Sequence, residues 1–175
     1  MTNLQTAVEA IPGRPASLLN ILNDYLTLTK PPIVVLLLVT AAGGMFLAAQ
    51  GLPSLLLMCL VWLGGALAAG GANAINHYLD RDIDERMSRT RQRPVAGHRI
   101  SPAKALIFGV ALNVIAFAVL VTWINLLAAL LTLSATLFYV FVYTRWLKRT
   151  TPQNIVIGGA AGAIPPLVGW AAVTG

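Results

Sequence analysis

The chain of 175 residues is 57% hydrophobic and 10% charged, with a formal net charge of +6 and a mean hydropathy of +0.76. Soluble domains carry about a quarter charged residues, so this composition excludes a soluble globular fold. It indicates an integral membrane protein of the all-α class, a polytopic transmembrane helical bundle.

Residues 1–29 are nearly neutral and lack both a basic start and an adjacent apolar core. They read as a cytoplasmic lead-in rather than a signal or transit peptide. From residue 30 to residue 175 nothing marks a second domain. Lys30 closes the lead-in, and Pro31 and Pro32 open the first span, where a missing amide donor costs least.

Five apolar runs approach the ~20 residues needed to cross hydrocarbon. They cover Ile33 to Ala49, Leu55 to Ile75, Ala105 to Trp123, Leu126 to Tyr143, and Ile155 to Gly175. Cys59, the only cysteine, lies inside the second, so disulfides have no part in the fold. The inner loop from Arg81 to about Pro102 is too polar for lipid and too rich in turn residues for one plain helix. Gly43-Gly44, Gly64-Gly65, Gly70-Gly71, and Gly158-Gly159 with Gly162 sit within spans, where small residues let helices approach closely. Pro165 and Pro166 interrupt the fifth span, as a kink accommodated by neighbouring helices.

All twelve Lys and Arg residues fall in three places: before span one, after span two, and after span four. The positive-inside rule then puts the N-terminus and both basic loops in the cytoplasm. The basic residues lie among helix ends at the bilayer surface. That placement suits anionic lipid or a phosphorylated substrate and argues against nucleic acid.

The stretch from Asn76 to Asp84 reads NHYLDRDID and follows some twenty apolar residues. Acidic groups at that depth are costly. If the second helix continues past Ile75, Asn76, Asp80 and Asp84 recur every four residues and share one face. Asp82 lies about 200° from Asp80 and points elsewhere. Two carboxylates and an amide suit a hard cation such as Mg²⁺, which takes one or two carboxylates and completes its shell with water and phosphate. The arginines of RDIDERMSRTRQRP supply forks for phosphate oxygens. The plain alternative is an acid–base network that merely ends a helix.

Asn76-x-x-x-Asp80-x-x-x-Asp84 resembles the first aspartate motif of the UbiA superfamily of intramembrane prenyltransferases. The flanking DRDIDERMSRTRQRP resembles its protoheme IX farnesyltransferase branch. So do YLTLTKPPIVVLLLVTAAGG and the more distinctive YTRWLKRTTPQNIVIGGAAGAIPPLVGW, and together the likeness covers Tyr25 to the end. The resemblance implies a nine-span bundle around a central cavity, with Mg²⁺ at its cytoplasmic mouth and location in the bacterial inner membrane. It implies transfer of a farnesyl group from farnesyl diphosphate to a vinyl group of haem b, giving haem O. By position, Asn76, Asp80 and Asp84 become the catalytic metal–diphosphate ligands. Lys30, Arg89, Arg93, Tyr143, Lys148, Arg149 and Asn154 become substrate-binding candidates. Lys30 and Lys148 also fit ordinary juxtamembrane charges. His77 and His98 read as interfacial polar residues rather than haem ligands.

The chain departs from the branch in three ways. Pro32 stands where an arginine is common, and in RPVAGHRIS the glycine comes one place early, with His98 in its position. The chain also ends in span five, so it reads as the N-terminal half, with a C-terminal half or a haem A synthase-type protein as a candidate partner. Two further readings are a prenyltransferase of an aromatic or quinone precursor, and a silent truncated paralogue that binds haem or an assembly partner.

Overall fold

The computed structural model describes residues 17–175. Among these the regular structure is entirely helical: α1 (Leu18–Thr29), α2 (Pro31–Ala49), α3 (Leu55–Leu79), α4 (Arg81–Arg86), α5 (Pro102–Trp123), α6 (Leu126–Thr150) and α7 (Asn154–Thr174). The helices α2, α3, α5, α6 and α7 are long and apolar enough to cross a membrane. They alternate in direction. Consequently Lys30, Leu79, Pro102, Thr150 and Asn154 all fall at one end of the bundle, the charged end.

Helix boundaries follow local chemistry. Lys30 adopts a left-handed conformation, with φ 53° and ψ 64°, which ends α1 and turns the chain into Pro31 at the head of α2. Ser101 caps α5 by accepting from the Lys104 amide, and Pro102 takes its first position. At the far end Asn125 Oδ1 accepts from the Ala128 amide, starting α6. Its Nδ2 donates to the Ala171 carbonyl at 2.7 Å, tying α6 to α7.

The closest pairings are α3 with α5 and α2 with α7. Both rest on glycine. A Cβ at Gly71 would meet the Gly109 carbonyl, and one at Gly109 would meet that of Gly71. A Cβ at Gly44 would strike the Pro166 backbone, and one at Gly169 the carbonyl of Ala41. Backbones this close exchange dispersion in place of a hydrophobic driving force, which lipid does not supply. Gly43, Gly159 and Gly162 meet nothing, so those members of the predicted clusters are not packing positions here.

α7 runs on through Pro165 and Pro166, so the interruption is accommodated without a break, and two other features differ from expectation. The prolines deprive the Ala161 and Gly162 carbonyls of their usual amide partners, and both residues line the central cavity described below. Span four extends to Thr150, and within it Phe138–Leu147 is π-helical, a widened geometry common near functional sites. Finally, α1 is a helix packed on the bundle: Leu28 is fully buried with Ala74, Val95, Ile100 and Ala105.

Candidate functional site

The end of α3 builds the site. Its hydrogen-bond ladder continues beyond Leu79, with the Asp80 amide on the Asn76 carbonyl at 2.9 Å and the Asp84 amide on that of Asp80 at 2.8 Å. Asn76, Asp80 and Asp84 therefore keep their four-residue spacing into α4, and all three are buried, at 2%, 0% and 3% exposure. Asn76 Nδ2 donates to Asp80 Oδ2 at 2.7 Å and to Thr144 Oγ1 at 3.2 Å.

Each buried polar group meets a cation from another part of the chain. Lys30 Nζ donates to Asn76 Oδ1 at 2.9 Å. Lys148 Nζ donates to Asp80 Oδ2 at 2.5 Å. Arg93 Nη1 reaches both oxygens of Asp84, at 2.9 and 2.8 Å. Burial, then the charges of Arg93 and Lys148, pushes the Lys30 ammonium down to about 8, against the pull of Asp80 and Asp84. Lys30 thus lies in the field of both carboxylates and both other cations.

The remaining candidates lie outside this network. Arg149 forks onto Asp82 at 2.9 and 2.7 Å on the exposed rim and holds that carboxylate down at about 2. Arg89 is exposed and makes no ion pair among the described residues. Asn154 Nδ2 donates to the Thr151 carbonyl at the start of α7. His98 is exposed, whereas His77, in the last turn of α3, is 2% exposed with neither ring nitrogen bonded, so its side chain is buried within the protein.

Sequence reasoning missed Thr144, fully buried on Asn76. The available signal was its spacing of four from Lys148. Asn73, one turn before Asn76 and placed by that spacing to extend the polar stripe inward, uses its Nδ2 to hold the Thr29 carbonyl at 3.0 Å and so fastens the α1–α2 corner beside the site.

Beyond Asn73 the polar network gives way to a cavity of about 430 Å³ walled by α2, α3, α6 and α7. Its lining is apolar apart from Asn73, Thr132, Thr136, Tyr139 and Tyr143. The Tyr143 ring lies where a side chain at position 158 would sit, and it stacks on Tyr139 at 5.4 Å between centroids. The volume falls within the roughly 300–1,000 Å³ of small-molecule sites. Two carboxylates, three cations and an apolar chamber together suit an amphiphile with an anionic head and a long hydrocarbon tail.

A sequence profile described as the UbiA prenyltransferase family matches residues 36–175. The chain belongs to that family. Its aspartate face, and every cavity-lining residue but Ile33, thus lie within the matched segment. Among its relatives, a protein named protoheme IX farnesyltransferase from Gloeobacter violaceus is 57% identical over 174 residues, covering 99% of this chain and 56% of that protein. Those of Trichodesmium erythraeum and Symbiobacterium thermophilum carry the same name. They are 55% and 57% identical, covering 98% and 89% of this chain and 52% of each relative. The UbiA-family chain therefore spans about half the length of the curated relatives it matches. No solved structure matches it.

Proposed function

We propose that this chain forms the diphosphate-binding part of a membrane prenyltransferase that moves a farnesyl group from farnesyl diphosphate to a vinyl group of haem b, giving haem O. The observation that carries this reading is the buried Asn76–Asp80–Asp84 face, matched to three cations and opening on an apolar cavity. Relatives more than half identical and named protoheme IX farnesyltransferase support the choice of acceptor.

A divalent cation fits the donor set. Asp80 Oδ1 is buried and has no partner, so one carboxylate oxygen stands ready for a further ligand. No group of three or more His, Cys, Asp and Glu side chains comes together among the described residues, so an all-protein cage is not formed. Mg²⁺ needs none, because it binds through one or two carboxylates and substrate phosphate. Asp80, Asp84 and Asn76 would hold it. When bound, the ion supplies positive charge to the departing diphosphate.

The chain's own groups supply the rest. Lys30, Lys148 and Arg93 neutralise phosphate oxygens, with the Arg93 fork suited to two oxygens at once. Fixed charges aimed at the leaving oxygens stabilise the transition state without reorganising when the bond breaks. The apolar walls of α2, α3, α6 and α7 hold the isoprenoid tail and keep water from the allylic carbon. The basic residues at the charged end support a cytoplasmic orientation for the site, in the bacterial inner membrane as the bacterial relatives suggest.

The test is mass spectrometry of tetrapyrroles after membranes carrying the protein are supplied with farnesyl diphosphate, haem b and Mg²⁺. Haem gaining a farnesyl group is the expected result. Farnesylation of an aromatic or quinone precursor with haem untouched would reassign the acceptor. Diphosphate binding without any transfer would favour a silent paralogue.

A further inference from the structure

Helix α1 carries an interaction surface independent of the site chemistry. At about 100° per residue its side chains divide into three sectors. Tyr25 and Leu28 face the bundle: Leu28 is fully buried, and the Tyr25 ring meets the edge of Phe108 at 5.0 Å. Asn20, Asn23, Asp24 and Thr27 form a polar sector, with Asp24 held by Arg99 at 2.9 Å. Leu18, Leu22, Leu26 and Leu19 form the third, and they are 78%, 65%, 57% and 74% exposed.

Four leucines on one side of a twelve-residue helix require an apolar occupant. The depth of α1 identifies it. Thr29 packs beside Gly70, its carbonyl is bonded by Asn73, and Tyr25 touches Phe108. Gly70, Asn73 and Phe108 all belong to membrane-spanning helices. Only Lys30 separates α1 from α2, whose first turns expose Val35 and Leu36, neither of which lines the cavity. The leucine row thus lies beside membrane-spanning helices and adjoins one whose own apolar side chains are exposed.

We propose that α1 is an interfacial helix, lying in the leaflet at the charged end with Leu18, Leu19, Leu22 and Leu26 among the acyl chains. Asn20, Asn23 and Asp24 then sit at headgroup level. Interfacial helices commonly add Lys and Arg on the polar face, but the only charge on α1 is Asp24, already paired. Seating therefore rests on burial of apolar surface and does not depend on anionic lipid. Because α1 ends at Lys30, whose ammonium bonds Asn76, its seating also positions one cation of the site.

Nitroxide accessibility tests the proposal in the protein reconstituted in vesicles. With Cys59→Ser as background, labels are placed at Leu22→Cys, Leu26→Cys and Asn23→Cys. Vesicles are phosphatidylcholine alone or mixed with phosphatidylglycerol. The expected result is that labels at 22 and 26 collide with oxygen and lose collisions with a water-soluble nickel complex. The label at 23 should show the reverse, and neither pattern should change with the anionic lipid. Nickel collisions at 22 and 26 equal to those at 23 would overturn the proposal, since α1 would then lie off the membrane. Protection of 22 and 26 from both reagents would also overturn it, because protein rather than lipid would cover the row. Insertion only with phosphatidylglycerol would refute the charge-independent seating.

Discussion

Lys148 Nζ lies 2.5 Å from Asp80 Oδ2, joining the end of α6 to the end of α3 across 68 residues of chain. Asp80 is fully buried and Lys148 about a third exposed, so the pair is asymmetric. Removing the ammonium strands a charge, whereas removing the carboxylate leaves a cation able to reach water. Lys148→Met should therefore destabilise the bundle by about 3 kcal/mol, the lower end for an uncompensated buried charge. Asp82→Asn, which breaks the rim pair with Arg149, should change stability by less than about 1 kcal/mol. Reversible unfolding in mixed micelles reads both, and equal effects would contradict the burial asymmetry.

Asp80→Asn keeps the shape of the site but removes the charge and the open acceptor. On the proposed function, farnesyl transfer should fall about 100-fold or more, the scale for losing one fixed electrostatic contact to a transition state. Arg89→Gln, on an exposed side chain outside the network, should stay near wild type. Product formation by mass spectrometry separates the two, and a fully active Asp80→Asn enzyme would remove Asp80 from the mechanism.

Burial, then the like charges of Arg93 and Lys148, pushes the Lys30 ammonium down to about 8, well below the usual lysine value. An anion prefers the protonated state, so inorganic pyrophosphate should bind best below pH 8 and more weakly as pH rises through that value. Lys30→Met should bind weakly throughout and lose the Lys30-dependent part of this decline. Calorimetric titrations at pH 7 and 9 on both proteins check the sign, with the variant correcting for the titration of pyrophosphate itself.

His98 has φ 57°, in the left-handed region, where a Cβ is strained. It is exposed and its amide bonds the Val95 carbonyl at 3.1 Å, a bond that glycine keeps. His98→Gly should stabilise the protein by up to about 1 kcal/mol, and farnesyl transfer should be unchanged. Loss of either would mean that the imidazole has a partner of its own.

Gly169→Ala drives a methyl into the Ala41 carbonyl and should cost about 1–3 kcal/mol or more, with α2 and α7 forced apart. Gly43→Ala, one residue from the Gly44 crossing, meets nothing and should be neutral or slightly stabilising. Unfolding of the two variants side by side tests whether the α2–α7 contact is made by Gly44 and Gly169 rather than by glycine content in general.

Sequence alone was enough to establish a membrane bundle, five spans and the four-residue recurrence of Asn76, Asp80 and Asp84. These follow from local composition and the fixed pitch of a helix, which lipid makes obligatory by denying the backbone any other partner. Even the displaced glycine at His98 was readable as an anomaly of the loop. Which cation meets which acid was not readable. Lys30 and Lys148 lie 46 and 68 residues from their partners, and of two arginines in one loop it is Arg93, not Arg89, that reaches Asp84. Thr144 was equally hidden, because its burial on Asn76 depends on what the neighbouring helix presents. Periodicity is a property of one segment, whereas pairing, burial and the cavity are properties of the space between segments. That space exists only once the glycine crossings have set how closely the helices approach.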